Sequence, residues 1–390
     1  MQVTICGGGN AAHTLAALIS ARQGYRVNVY TPLDDEVERW RQGIEAGGGI
    51  TAHNQDGVLA GRPHRVSDDP SAVVPGSQLV LLALPAFAHE IILKDIAPFL
   101  DDGAWVGALP ARGGFDWAAR DVLDNGKRSV VLFGLQTLPW ACRIREYGRE
   151  VVILGTKSEV DLAAWPPNYA AEVADLLSDL LGLSICPISN FLSLTLASTG
   201  QLIHPGVMYG LFRDWDSRPY DEAPLFYQGI EATTAHILDQ LSDEVQSLRT
   251  RLEERFPALD LSAVLPLYDW LLRSYDDSIG DCSSLLNCFV TNSGYAGLRA
   301  PMRPTDDGLV PDFQARYLSE DVPYGLVVIR GIAELAELPM PNIDQVIAWS
   351  QEVLGKEYLV DGELRGRSVA VSRAPQRYGF RSLDEVLRKT

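Results

Sequence analysis

At 390 residues, 46% of them hydrophobic, the chain carries apolar material for two buried cores, or three. A formal charge of −18 and a pI near 4.7 repel phosphate backbones and anionic lipid, which argues against nucleic acid or membrane partners. Small anionic substrates stay open, because local arginines can hold them against the overall field.

The opening "MQVTICGGG" has neither a basic segment nor a long apolar one, so no signal peptide is expected and the cytoplasm is the expected compartment. Five scattered cysteines (Cys6, Cys142, Cys186, Cys282, Cys288) form no CxxC pair. They read as reduced thiols, with no disulfide framework and no metal site.

In chain order, "QVTIC" predicts a buried strand, "AAHTLAALISARQG" a helix and "YRVNVYT" a second strand. After a loop and a polar segment, the strand "QLVLLALP" leads into the helix "AFAHEIILKDIAPFL". "GAWVGALP" then precedes the helical "FDWAARDVLDN", and the strands "SVVLFGLQTLP" and "EVVILGT" follow. Short buried strands alternating with amphipathic helices predict an α/β, Rossmann-type, doubly wound domain with a parallel sheet.

From about Ala171 helical patterns take over, beginning with "AAEVADLLSDLLGL" and interrupted by the short strand "SICPISNF". "ATTAHILDQLSDEVQSLRTRLEERF", "VLPLYDWLLRSY", "VPYGLVVIRGIAELAEL" and "IDQVIAWSQEVL" place apolar residues at helical spacing. The expected organisation is a dinucleotide-binding domain over 1–195 and a mainly α-helical substrate domain over 196–390. The boundary falls in "NFLSLTLAST", which lacks both charge and a sharp period.

The glycine stretch carries the first chemistry. Gly7, Gly9 and Ala12 fit G-x-G-x-x-A between a strand and a helix. Gly7 permits the tight turn, Gly9 lets backbone approach a pyrophosphate, and Ala12 allows close helix–strand packing. Free N–H groups from Asn10 onward would face the phosphates. The acids after the second strand come late, at Asp34 and Asp35, and no Arg or Lys stands between Val27 and Arg39 to receive a 2′-phosphate. NAD(H) is therefore expected over NADP, with Gly7, Gly9, Asn10, Ala12, Asp35 and Pro85 as coenzyme-binding candidates. His13, just inside the helix, is expected to pack or to face solvent rather than to catalyse.

Hydride transfer to a keto acid or imine needs a proton donor, an orienter for it and a cation for the carboxylate, in a cleft between the domains. "STGQLIHPGVMYG" supplies His204, an acid/base suited to neutral pH, and "PDFQARYLSEDVPYG" supplies Arg316 and Asp321. An aspartate on the second imidazole nitrogen would fix its tautomer, and an arginine can grip a carboxylate through two parallel N–H bonds. Spacing alone leaves the blander reading open, in which the histidine is structural and Arg316 and Asp321 form a surface ion pair.

The motifs "CGGGNAAHT", "LPAFAHE", "TLPWACRIREYGR", "HPG", "EAPLFYQGI", "PDFQARYLSEDVPYG", "GKEYLVDG" and "APQRYGF" together resemble the octopine/opine dehydrogenase family over nearly the whole chain. The likeness is nearest to the invertebrate-type octopine, tauropine and alanopine enzymes. It implies reductive condensation of a 2-oxo acid, usually pyruvate, with the amine of an amino acid at the expense of NADH. It implies His204 as acid/base, Asp321 as its partner, and Arg316 as the group that holds the oxo acid. Thr137 and Cys142 border the family's site, with Cys142 a reactive bystander thiol rather than a nucleophile. Arg112 stands where the relatives have a glutamine; it either adds carboxylate affinity or faces solvent. Gln136 stands where arginine-using relatives carry an acid, and Trp270 matches an aromatic of their arginine pocket. The missing acid at Gln136 points to a small zwitterion over arginine as the amine, with arginine left open because Asp269, Asp276 or Asp277 could substitute for it. Relatives suggest a monomer or a homodimer. The rivals are another two-domain NAD(P)-dependent reductase, most of which use a catalytic lysine in the helical domain, and a non-catalytic NAD sensor. None of Lys94, Lys127, Lys157, Lys356 and Lys389 is predicted on a helix facing the cleft.

Overall fold

The computed structural model describes residues 1–33, 35–123 and 129–388. They form two compact units, one of residues 1–111 and 115–194, the other of residues 112–114 and the chain from Thr195 onward. The second unit thus begins inside the apolar "NFLSLTLAST" and also takes in a three-residue loop from the first third of the chain.

The first unit is built on strands β1 (Gln2–Cys6), β2 (Arg26–Tyr30), β3 (Ile50–Asn54), β4 (Gly57–Gly61), β5 (Arg65–Ser67) and β6 (Leu79–Leu82). They continue as β7 (Trp105–Ala108), β8 (Val131–Leu135), β9 (Trp140–Glu146), β10 (Glu150–Thr156), β11 (Glu159–Trp165) and β12 (Ser184–Pro187). Among the described residues the larger sheet has the order β12-β11-β8-β7-β6-β1-β2-β5. Its pairings are parallel apart from β11 against β8. Strands such as β1 and β6 are buried along their length, as a sheet covered on both faces requires. One layer packs Ala12, Leu15 and Ile19 with Trp40 and Leu177. The other packs Leu93, Ile96, Phe115 and Phe191. Each fully buried Leu, Ile or Phe side chain contributes roughly 1.5–3 kcal/mol.

A second, mixed sheet of order β4-β3-β10-β9 is the departure from the sequence reading, which left residues 50–61 as loop and polar segment. β4 is exposed over nearly its whole length, so no alternation of apolar and polar residues marks it as a strand. It exists because β3 pairs with it antiparallel and lies parallel to β10.

The second unit is mainly helical. Its longest helix, Ala232–Arg255, buries Leu238, Leu241, Val245, Leu248 and Leu252, a single stripe at three- and four-residue steps. Helices Gly200–Phe212, Leu267–Tyr275, Val327–Leu335 and Pro341–Leu354 accompany it. A short hairpin pairs Met302–Thr305 with Gly308–Pro311. No helix of the described residues is long and apolar enough to cross a membrane.

Candidate active site

In the first unit, β1 stands at the point where the sheet order reverses, between β2 and β6, and the glycine stretch leaves its carboxyl end. Gly7 has φ +132°, and a Cβ there would lie 2.6 Å from the carbonyl oxygen of Ala83, so only glycine fits this turn. Gly9 is the N-cap of the helix Asn10–Ser20, and no side chain caps that end. The space where a Cβ of Gly9 would stand is open. Uncapped amide donors beside open space at a strand switch point fit a dinucleotide diphosphate.

The neighbouring side chains brace this loop. Asn10 Oδ1 accepts the N–H of Ile144 at 2.8 Å, tying the helix start to β9. His13 is fully buried. Its Nδ1 donates to the carbonyl of Gly9 at 3.0 Å, while its Nε2 accepts the N–H of Gly148 at 2.8 Å. It also stacks on Trp40 at 3.8 Å. Burial, together with the nearby Arg39 charge, lowers its pKa to about 4, against the backbone bond to Gly9 that raises it. A neutral, two-handed brace results, so of the packing and solvent roles left open for it, His13 takes the packing one.

Asp35 is exposed and pairs with Arg39 at 3.1 Å, while Asp34 lies outside the described residues. The carboxylate against the glycine stretch belongs to Glu36, which accepts a hydrogen bond from Thr31 and occupies the space a side chain at Gly8 would need. Sequence reasoning passed over Glu36; its signal was its place as the third acid after β2, directly behind Asp34 and Asp35. Ala12 is fully buried. Pro85 caps the helix Ala86–Ile96, two residues beyond Ala83. Gln136 is buried and Thr137 partly exposed, both just past β8. Cys142 is buried in β9, and burial pushes its thiol pKa up, which corrects the expectation of a reactive thiol.

In the second unit, Asp321 and His204 are 117 residues apart in sequence and meet at 2.7 Å between Oδ2 and Nδ1. Two local features produce the meeting. Pro323 has no N–H to continue a regular helix, and residues Val322–Leu326 take a wider π-turn between Arg316–Ser319 and Val327–Leu335. Gly325 then lets the helix Gly200–Phe212 press onto this turn, since a Cβ there would overlap that of Gln201.

Asp321 Oδ1 faces the guanidinium of Arg112, with Nη1 at 2.9 Å, and Glu320 Oε1 stands 3.6 Å from Arg112 Nε. Asp321 and Glu320 are each 1% exposed, so this is a buried charge cluster whose members depend on one another. Arg112 has a left-handed backbone, φ 62°, a conformation that costs a non-glycine residue about 1–3 kcal/mol and persists only when its surroundings hold it. Burial works against the Arg112 charge, yet Asp321 and Glu320 hold its pKa above the ordinary arginine value. Of the two readings left open for Arg112, the solvent-facing one is set aside: its side chain is 13% exposed. Arg316 bonds Glu320 instead, and its side chain is 56% exposed.

The other imidazole nitrogen, Nε2, meets the Tyr227 hydroxyl at 2.9 Å, and Tyr317 stacks on the ring at 4.2 Å. Tyr227 continues into an aromatic ladder through Tyr295 (4.2 Å), Tyr275 (5.0 Å) and Trp270 (6.0 Å). Burial, then the neighbouring tyrosines Tyr317 and Tyr275, holds the Tyr227 pKa well above the ordinary phenol value. The structure therefore gathers His204, Asp321 and Arg112, with Arg316 attached through Glu320 and Trp270 joined only through the aromatic ladder. Tyr227, Tyr317 and Glu320 lie inside motifs quoted from the sequence, but nothing there singled them out.

A glycine turn at a strand switch point and a carboxylate-bound histidine in a helical unit define the class: a two-unit, dinucleotide-dependent oxidoreductase. Comparison narrows it. Residues 187–354 match the model of the NAD/NADP octopine/nopaline dehydrogenase family, alpha-helical domain. The chain is 41% identical to octopine dehydrogenase of Mizuhopecten yessoensis over 99% of this chain and 98% of that one. It is 38% identical to tauropine dehydrogenase of Arabella iricolor over 99% of both. The solved structure of octopine dehydrogenase with NADH and L-arginine superposes with a TM-score of 0.91 at 39% identity, covering 100% of this chain and 98% of that one. The chain belongs to the octopine dehydrogenase family.

Proposed function

We propose that the protein is an NADH-dependent opine dehydrogenase that condenses pyruvate with a small zwitterionic amine (taurine, glycine, alanine or β-alanine) to an N-(1-carboxyethyl) product. The observation that carries this reading is the imidazole of His204 held at 2.7 Å by a carboxylate that is itself held by Arg112. In the neutral ring Nδ1–H donates to Asp321, and in the charged ring Asp321 steadies the imidazolium, so one geometry serves both protonation states. Amine adds to the ketone to give a carbinolamine. The imidazolium then protonates the departing hydroxyl, the C–O bond breaks, water leaves, and the nitrogen lone pair closes the C=N bond. Reduction of this bond takes the hydride that NADH would supply when bound.

Arg112 is the cation beside the imidazole. A Cβ on Gly200 would lie 3.2 Å from Arg112 Nη1 and 3.5 Å from His204 Cε1. We assign the pyruvate carboxylate to Arg112 at the reacting centre, with Arg316 as the outer cation. The neutral Gln136 supports a small amine, with Thr137 beside it and Trp270 at the far end of the aromatic ladder as further substrate contacts. Gly7, Gly9, Asn10, Ala12 and Pro85 would hold the coenzyme at the turn, with Asp35 at its outer edge. The Glu36 carboxylate would repel a 2′-phosphate and so supports NAD over NADP. Coenzyme is expected to bind first, and random product-inhibition patterns would contradict that order.

The test is NADH oxidation with pyruvate and a panel of amines. The highest kcat/KM is expected for a small zwitterion. Arginine is the rival, since two relatives at 41% identity bear the octopine name, and a highest value for arginine overturns the amine assignment. Oxidation with pyruvate alone would indicate a simple dehydrogenase, and none with any amine a sensor.

A further inference from the structure

Both nitrogens of His204 are engaged, and the two sides of the ring differ. On the Nδ1 side stand Asp321 and Glu320, each 1% exposed, and Arg112, a permanent cation; this side is closed to proton traffic. On the Nε2 side stands a neutral hydroxyl, Tyr227 Oη, at 2.9 Å. Tyr227 also hydrogen-bonds Tyr317, whose ring is only partly buried and lies flat on the imidazole. Reductive condensation of a ketone and an amine consumes one proton per turnover from solvent, and the spent imidazole must recover it.

We infer that the Tyr227 hydroxyl is the route by which His204 recovers that proton, a relay and positioning role that rests on the reading proposed above. Tyr227 gives its hydroxyl hydrogen to Nε2 as its oxygen takes one from Tyr317 or from water. The O–H bonds of Tyr227 and of its donor break, one N–H bond and a new Tyr227 O–H bond form, the donor takes its proton back from bulk solvent, and no electrons change hands. Tyr227 ends as it began and His204 ends as the imidazolium facing Asp321. The hydroxyl suits the task because it is held too firmly in its neutral form to linger as phenolate, so both transfers must run together. Substrate oxygen and tyrosine hydroxyl use the Nε2 edge of the ring in turn.

The variant Tyr227→Phe keeps the ring stacked on Tyr295 at 4.2 Å and removes the hydroxyl alone. With pyruvate, the best amine and NADH all saturating, kcat is expected to fall about tenfold or more while each KM stays within about twofold, and the solvent deuterium isotope effect on kcat to rise. Tyr317→Phe should move both in the same direction by less. A readout free of turnover accompanies these: 15N NMR of labelled histidine in the ligand-free protein, with the His204 signal assigned by its loss in His204→Gln. The Nε2 resonance is expected to shift in Tyr227→Phe. A smaller loss of kcat, an unchanged isotope effect or an unmoved resonance overturns the relay. Absence of turnover in the parent protein with every amine overturns the proposed function instead, and the resonance still reports whether the hydroxyl governs the imidazole.

Discussion

The two candidate sites are built on opposite plans. The glycine turn of the first unit lies in one run of nine residues, presents uncapped backbone N–H groups, and is braced by a neutral histidine. The histidine site of the second unit assembles side chains from residues 112, 204, 227 and 316–321, and works through buried charges that satisfy one another. A backbone site tolerates most side-chain changes that leave its turn intact. A network of buried charges tolerates few, because each removal strands a partner without solvent. Damage to the first should show in coenzyme affinity and local stability, and damage to the second in chemistry and stability together.

The sharpest break in this comparison should come from His204→Asn. We expect kcat to fall by about 10²–10⁴, with NADH affinity by fluorescence titration unchanged. An equal loss of NADH affinity would mean the two sites do not divide the work as argued. Asp321→Ala should cost less in rate but more in fold, because it leaves Arg112 and the imidazole without their shared carboxylate. A loss of about 3–5 kcal/mol in denaturant unfolding is expected, and an Arg112→Gln/Asp321→Ala double variant should recover part of it.

The first unit gives the pH-dependent prediction. His13 has its pKa lowered to about 4 in the folded protein from the ordinary 6.5. The unfolded chain therefore binds the proton more readily, so this stabilisation is fully present above pH 6.5 and is lost as pH falls toward 4. The size is up to about 3 kcal/mol. Unfolding curves between pH 7 and 4.5 should show a steeper decline for the parent than for His13→Gln, and parallel declines would remove the brace from the account. The smallest effect concerns the coenzyme: Glu36→Gln should narrow the preference for NADH over NADPH by about tenfold in kcat/KM, roughly one lost charge repulsion.

Legibility followed the same division. The glycine turn could be read from residue types at fixed spacing, because Gly7 and Ala12 shape the backbone where they stand. The chemistry of His204 and Asp321 could be named from their motifs, and the fold brings them to 2.7 Å. The acid at the glycine stretch was missed by one residue, since a shift of one along the start of a helix turns Asp35 to solvent and Glu36 inward. The mixed sheet was missed because β4 is too exposed to carry a pattern.

The order of strands and helices, the doubly wound first unit and the helical second one follow from the local spacing of apolar residues, which each segment carries without reference to the rest. Which cation stands beside the imidazole, Arg112 or Arg316, was decided only when a loop from the first third of the chain joined the second unit. So was the choice of Tyr227 as the second partner of the ring. Spacing along a chain reports what a segment does to itself. The charge and hydrogen-bond partners of a buried group come from segments a hundred residues away, and only packing brings them within three ångströms.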